Sequence, residues 1–475
     1  MQTEEIEQAI RKILSEELSH KPGANAAAAP GENGIFKTVN EAIAAAKAAQ
    51  IDFGDQPIAV RNQVIDAIRE GFRPYIQTMA ERIHEETGMG TVSAKVTKLH
   101  NALYNTPGPE LLQPEVETGD AGLVMYEYAP FGVIGAVGPS TNPSETVIAN
   151  AIMMLAGGNT VFFGAHPGAK NITRWTIEKL NEFVAKATGL HNLVVSLETP
   201  SIESVQEVMH HPDVAMLSIT GGPAVVHQAL ISGKKAVGAG AGNPPAMVDA
   251  TANIALAAHN IVDSAAFDNN ILCTAEKEVV VEATVKEDLM TRMQNEGAFL
   301  VTKPADIQKL VDMTIGPKGD PDRKFVGKDA TFILDEAGIA YTGKPTLIIL
   351  EAAKDHPLVT TEMLMPILPV VTCPDFTAVL ATATEIEGGL HHTASIHSEN
   401  LPHINQAAHR LNTSIFVVNG PTYCGTGVAT NGAHSGASAL TIATPTGEGT
   451  ATSKTYTRRR RLNSPEGFSL RTWEA

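Results

Sequence analysis

The sequence predicts an α/β protein: a doubly wound parallel sheet followed by a second α/β region. Three observations carry that prediction. Beyond residue 132, short apolar runs alternate with helix-length runs, the pattern of parallel βαβ units. The turns that follow several of the apolar runs, such as 139–145 and 220–223, carry Gly, Pro, Ser and Asn where a strand gives way to a helix. The chain has 475 residues, 43% hydrophobic and 18% charged, enough for two or three domains with substantial cores.

Taken in order, residues 3–18 read as a separate amphipathic helix, with Ile6, Ala9, Ile10, Ile13, Leu14 and Leu18 opposite Glu4, Glu5, Arg11, Lys12 and Glu16. Residues 21–34 read as a flexible linker. A short helix on a tether cannot bury its own apolar face. It packs back on the body or docks elsewhere, and the tether's length favours an external partner. Helices are expected over 40–50, 57–70, 73–86 and 91–104, with Gly88 and Gly90 stopping the third. Strands are expected over 122–128 and 132–137. Then come helix 143–156, strand 160–163, helix 169–188, strand 193–195, helix 202–209, strand 214–219, helix 223–231 and strand 235–237. The second region starts near Pro245 and holds helix 254–267, strand 278–281 and helix 286–294; 441–470 is strand-like.

A net charge of −17 disfavours nucleic acid, which needs a basic footprint, but not a phosphorylated small ligand held by backbone N–H groups. The basic run Arg458–Arg461 reads as a solvated or interface strand. No apolar run reaches the ~18 residues needed to span a bilayer. The acidic Met1-Gln2-Thr3-Glu4-Glu5 lacks the features of a signal peptide, so a cytoplasmic chain is expected. Cys273, Cys373 and Cys424 are too sparse for a disulfide framework and lack zinc spacing. His391 and His392, read as neighbours on a strand, would face opposite sides, which argues against a shared metal.

Open parallel sheets bind ligands at the carboxyl ends of their strands. In 139–145, Asn142 reads as the N-cap of a helix with Pro143 and Glu145 in its first turn, and equally as an amide donor for a developing oxyanion. Thr220-Gly221-Gly222 is either a close approach for a phosphate or ring, or an ordinary turn. Residues 238–245 depart from a dinucleotide fingerprint, with Asn243 where the last Gly belongs and prolines after it. They read instead as backbone passing close beside another group. Glu362 is a ribose-hydroxyl acceptor or a solvated loop acid. Cys273 sits between a helix and a strand; on position alone an inert buried thiol is the simpler reading.

Together these pieces resemble the aldehyde dehydrogenase superfamily over nearly all of residues 35–470. Within it they resemble the coenzyme-A-acylating branch found in bacterial microcompartments, nearest to the propionaldehyde enzymes. Pro139-Ser140-Thr141-Asn142-Pro143, His166-Pro167-Gly168-Ala169-Lys170, Phe267-Asp268-Asn269-Asn270 and Thr444-Pro445-Thr446-Gly447-Glu448-Gly449 carry the match. The resemblance implies a Rossmann-type cofactor domain (35–117 and 131–240), a catalytic domain (241–440) and oligomerisation strands (118–130 and 441–475). It makes residues 1–20 an encapsulation-type helix for microcompartment shell or core proteins. Residues 122–128 and 453–462 are expected to pair between subunits, giving dimers or tetramers.

The same resemblance makes Cys273 the nucleophile, with Asn142 and the Cys273 N–H holding the oxyanion. Hydride would pass to NAD, leaving a thioester on Cys273 for coenzyme A. Ser140, Thr141, His166, Pro167, Gly168, Thr220, Gly221, Gly222, Gly240, Glu362 and Pro366 are expected around the cofactor, with no metal.

Two departures from hydrolytic relatives matter. Those relatives carry a general-base Glu in the segment matching 238–240. Here there is no acid, so attack by water should be slow and room is expected beside the cysteine. A Lys that contacts the adenosine ribose is replaced by Gly164. An acetaldehyde enzyme is the nearest rival, one methylene away and worth only ~1–3 kcal/mol. A non-catalytic scaffold is a rival of another class, and a hydrolytic dehydrogenase is a third.

Overall fold

The computed structural model describes residues 31–120, 122–428 and 436–465. The strands in chain order begin with β1 (Ile35–Phe36), β2 (Glu115–Thr118), β3 (Leu123–Pro130), β4 (Val133–Val137), β5 (Thr160–Gly164), β6 (Val194–Leu197), β7 (Val214–Thr220) and β8 (Lys235–Ala239). They continue as β9 (Pro245–Val248), β10 (Glu278–Glu282), β11 (Ala298–Leu300), β12 (Leu347–Glu351), β13 (Ile367–Cys373), β14 (Thr393–His397) and β15 (Ile415–Val418), then β16 (Ile442–Ala443), β17 (Gly449–Thr450) and β18 (Thr457–Ser464).

The first sheet is parallel, in the order β1-β6-β5-β4-β7-β8. β5 and β6 are buried throughout, and β4 and β7 nearly so, as strands covered on both faces must be. One face packs against helices Ile58–Phe72, Ile76–Thr87, Pro143–Ala156 and Lys170–Thr188. The other packs against Val39–Gly54, Ile202–His210 and Pro223–Ile231. From β4 the chain winds outward through β5 and β6; it then returns to β7 and β8 on the other side. The carboxyl ends of β4 and β7 therefore flank a topological switch point, where such sheets open a ligand crevice.

The second sheet is also parallel, in the order β11-β12-β13-β10-β9-β14-β15. Helices Ile254–Ala266 and Ala283–Asn295 cover one face, and Phe376–Glu387 and Leu401–Leu411 the other. The α/β fold is the expected one. Among the described residues no helix is long and apolar enough to cross a membrane.

Several elements differ from expectation. The helix expected over 91–104 is α-helical only over Val92–His100 and then widens into a π turn at Asn101–Asn105. Asn101 and Asn105 are drawn there to the carbonyls of Thr426 and Gly427. Residues 122–128 and 453–462 were expected to pair between subunits. Instead β18 pairs with β3 within one chain, from Thr457 opposite Pro130 to Ser464 opposite Leu123, and β2 lies on the other edge of β3. Across that pair Arg459 lies 3.6 Å over the Tyr126 ring. Residues 441–456, grouped with the terminal strands, instead rejoin the first core through Ala443, Ala451 and the fully buried Tyr456. His391 precedes the strand instead of lying on it, in the left-handed region at φ 55°. The helix expected over 3–18 lies outside the described residues; the end of the expected linker is a turn, Glu32–Gly34.

Asn159 ties three of these segments together. Its Oδ1 accepts from Phe131 N (2.7 Å) and Gly132 N (3.2 Å), and its Nδ2 donates to Met154 O (3.0 Å) and Tyr456 O (2.9 Å). Asn159→Ala leaves four buried backbone groups without these partners. We expect a loss of about 2–4 kcal/mol, read as a lower denaturant midpoint at fixed protein concentration.

Candidate active site

Four turns at the carboxyl ends of adjacent strands line the crevice of the first sheet. Ser140, Thr141 and Asn142 follow β4. His166, Pro167 and Gly168 follow β5. Thr220, Gly221 and Gly222 follow β7, and Gly240 follows β8. The crevice fits a nucleotide cofactor. A Cβ built on Gly138 or Gly222 meets nothing within 4 Å. Gly222 opens the helix Pro223–Ile231 without a side-chain cap, and the nearby Thr220 Oγ1 is buried with no partner. His166 is exposed, and its Nδ1 accepts the Gly168 N–H (3.0 Å), so its ring folds back over its own turn.

Cys273 arrives from the second sheet's region. Helix Ile254–Ala266 ends in the turn Phe267–Asn270, in which Asp268, Asn269 and Asn270 all have left-handed backbone (φ 50°, 55° and 64°). Asn and Asp tolerate that region best among residues with a Cβ, because their short polar side chains bond locally. Asn270 Nδ2 holds Ala265 O (2.8 Å) and Glu276 O (3.0 Å). The buried Lys277 ammonium spends its donors on Asn270 O (3.0 Å), Asn270 Oδ1 (2.6 Å) and Leu272 O (2.9 Å). The loop entering Cys273 is thus pinned from both sides.

Gly242 is the meeting point of the groups around Cys273. Its N–H donates to Glu362 Oε1 (3.2 Å). A Cβ there would lie 2.7 Å from His392 Cγ and 3.0 Å from Cys273 O. The expected close approach therefore occurs, at Gly242 and against protein. Gly240 faces Pro445 Cγ, 2.9 Å from where its Cβ would be, and Pro366 is buried at the start of β13, its carbonyl accepting from Ile348 N (2.9 Å).

A Cβ at Gly238 would lie 2.8 Å from Val226 Cγ1, so Val226 and Pro445 occupy the ground that side chains at 238 and 240 would enter.

Burial pushes the Cys273 thiol up to about 12, and the Glu362 carboxylate adds to the rise; Lys277 and the N–H groups of Cys273 and Thr274 oppose it. Burial likewise pushes Glu362 up to about 7, against Lys277 and the Gly242 N–H. Lys277 itself is pulled by burial down to about 8. Cys273, Glu362 and Lys277 form one coupled set. Asn142 occupies the N-cap position of Pro143–Ala156, yet its side chain makes no cap hydrogen bond; its Oδ1 accepts from Lys98 instead.

A cysteine, a side-chain amide and a crevice at the switch point of a parallel sheet agree with what the sequence resembles. The sequence agrees with the aldehyde dehydrogenase family over residues 19–439. The chain belongs to that family. Propanal dehydrogenase (CoA-propanoylating) of Salmonella typhimurium is 47% identical over 99% of this chain and 100% of its own length. Propionaldehyde dehydrogenase of Rhodopseudomonas palustris has been solved with propionyl-CoA and with CoA and an acylated cysteine. Both structures are 40% identical, with TM-score 0.90, covering 95% and 93% of this chain and all of the other. A propionaldehyde dehydrogenase from the Clostridium phytofermentans fucose utilisation bacterial microcompartment is 41% identical, with TM-score 0.89, over 92% of this chain and all of its own.

Three residues of this aldehyde dehydrogenase escaped the sequence reading: Lys98, Lys277 and His392. His392 was weighed only as a metal ligand. It is buried, burial pulls it down to about 4 so that it is neutral, and its Nε2 has no partner. The signal for Lys277 was a lysine flanked by two glutamates at the mouth of an apolar strand.

The coupling gives a direct expectation. Glu362→Gln removes a negative charge that disfavours the thiolate, so the pH at which iodoacetamide alkylates Cys273 should move down. Lys277→Met should move it up. The measurement is the alkylation rate against pH, followed by intact mass.

Proposed function

We propose that this aldehyde dehydrogenase is coenzyme-A-acylating and reversible, with propionaldehyde as its preferred substrate and NAD as its acceptor. The observation that carries this reading is a partly buried thiol, Cys273, with no acid in the segment 238–242 to activate water. The identities to propionaldehyde enzymes support the substrate. The apolar cluster of Phe267, Leu272, Ala275, Tyr423 and Val428, which includes residues on both sides of Cys273, suits a short alkyl group.

The Cys273 thiolate adds to the aldehyde carbon, and the carbonyl π pair moves to oxygen. Asn142 Nδ2 and the Cys273 N–H hold that alkoxide. A nicotinamide nucleotide bound in the first-sheet crevice supplies the hydride acceptor. Collapse of the alkoxide then expels hydride and leaves a thioester on Cys273. Attack by the thiolate of coenzyme A on the thioester carbon releases Cys273 as thiolate and forms acyl-CoA. Glu362 shares its pocket with Cys273 and is assigned to the nicotinamide ribose. In binding ribose it would move its charge away from the thiol, which favours ionisation once cofactor is present.

Residues 1–20 are assigned to docking with microcompartment shell or core proteins, on the strength of their one-sided apolar pattern and the tether after them.

Cys273→Ala should abolish NADH formation from propionaldehyde, NAD and coenzyme A; sustained turnover in that variant would sink the assignment. Without coenzyme A, the wild type should stop after about one NADH per site and carry a propionyl mass on Cys273. Steady release of free acid would instead mark a hydrolytic enzyme. Deleting residues 1–20 should leave turnover intact and abolish co-purification with a co-expressed shell.

A further inference from the structure

We propose that Lys98 positions the Asn142 carboxamide as the oxyanion donor, by tying Asn142 to the loop that carries Cys273. The inference rests on the acylating reading above and adds a residue that the reading does not contain.

The first observation is what Asn142 does not do. An Asn at an N-cap ordinarily turns its Oδ1 to a backbone N–H in the first turn of the helix. Here that bond is absent. Lys98 Nζ donates to Asn142 Oδ1, which fixes the amide the other way round. The Nδ2 group is then left with a single long contact, to Thr141 Oγ1 at 3.3 Å. An amide nitrogen carries two hydrogens, so one donor remains uncommitted at the carboxyl end of β4. The helix has given up its ordinary side-chain cap, and what it gains is an oriented N–H.

The second observation is where Lys98 is anchored. Its side chain is 1% exposed and its ammonium faces Asp268 Oδ2, Asn142 Oδ1 and, at 3.5 Å, Glu145 Oε1. Asp268 and Asn142 are the close acceptors, and Glu145 completes the site as an ion pair. Asp268 belongs to the left-handed turn five residues before Cys273, whereas Asn142 and Glu145 belong to the first domain. One lysine therefore sets the distance between the two donors of the oxyanion hole, which come from separate sheets.

The third observation is charge balance. Lys95, Lys98, Asp268 and Glu145 are all essentially buried and sum to zero. Burial lowers the Lys98 pKa, but Asp268 and Glu145 more than offset it. Lys95 goes the other way, down to about 8, from burial and from Lys98 itself. Lys98 is thus the more firmly charged of the two lysines. A cation on an amide oxygen draws electrons from the nitrogen and strengthens its N–H as a donor.

A double-mutant cycle on the full-length enzyme separates positioning from mere support. Lys98→Met should slow the first-turnover NADH burst with propionaldehyde by about 10–100-fold, with KM little changed, as for a weakened oxyanion donor. In an Asn142→Ala background, where the donor is already gone, the same change should cost less than about threefold. Alkylation of Cys273 by iodoacetamide should stay within about twofold, because the loop itself remains in place. An equal factor in both backgrounds, or alkylation falling in parallel with the burst, would overturn the positioning role and leave the acylating reading standing. An Asn142→Ala enzyme at the wild-type rate would overturn both the oxyanion role of Asn142 and the inference built on it. Should Lys98→Met fail to fold, the neutral pair Lys98→Met with Glu145→Gln serves in its place, compared with Glu145→Gln alone, and an undiminished burst in that pair would equally refute the proposal.

Discussion

Three consecutive left-handed residues decide where the Cys273 thiol stands. Each such residue costs roughly 1–2 kcal/mol relative to right-handed backbone, so Asp268, Asn269 and Asn270 hold that shape only because their side chains are tied down. Asp268 Oδ1 accepts from Thr91 N (2.8 Å), and its other oxygen meets both lysines. Asn269 reaches Gly327 O (2.9 Å) and Asp329 Oδ1 (2.8 Å), while Asn270 closes on Ala265 and Glu276. Gly90 lies so near that a Cβ would fall 1.9 Å from Asp268 Oδ1. The turn is held from the helical layer of the first domain and from the loop at 327–329 as well as from its own strand. A polar triplet that is almost wholly buried thereby acquires a reason: it bends the chain and anchors it at once.

The environment that makes Cys273 rigid also makes it hard to ionise. Burial and Glu362 both oppose the thiolate, and Lys277 only partly compensates, because its donors are committed to the carbonyls of the same loop. A thiol disfavoured as thiolate in this environment gains reactivity when that environment changes. Glu362 is the element able to change. It is held by one N–H from Gly242, on a loop, whereas Lys277 is locked by three bonds.

The alternation from 143 to 239 was legible because strands buried on both faces and helices with a buried side impose different periods on the sequence. Cys273 was not legible by itself; a cysteine between a helix and a strand is chemically ambiguous until the loops around it are known. Lys98 was invisible for a definite reason. On the helix 92–100, Lys95 and Lys98 are three apart, the spacing of a solvated charged face, and only the distant Asp268 and Glu145 turn that face inward. Partners so far apart in sequence leave no local trace. The same limit explains the terminal strands. Their strand character was readable from composition, but a strand does not encode whether its partner belongs to its own chain or to another.

The fate of the thioester turns on what stands where a base could have stood. The segment Gly238-Ala239-Gly240 carries no acid that could activate water. The structure adds that Val226 and Pro445 have closed over those positions, with Thr446 Oγ1 accepting the Gly238 N–H at 3.1 Å. Restoring a glutamate there would meet packed side chains. Under the proposed mechanism, the absence of a carboxylate base in this segment sets the choice of acceptor. A free thiol ionises about seven pH units below water, so it needs no carboxylate base to become a nucleophile. Only an acceptor that must be deprotonated on site is handicapped there.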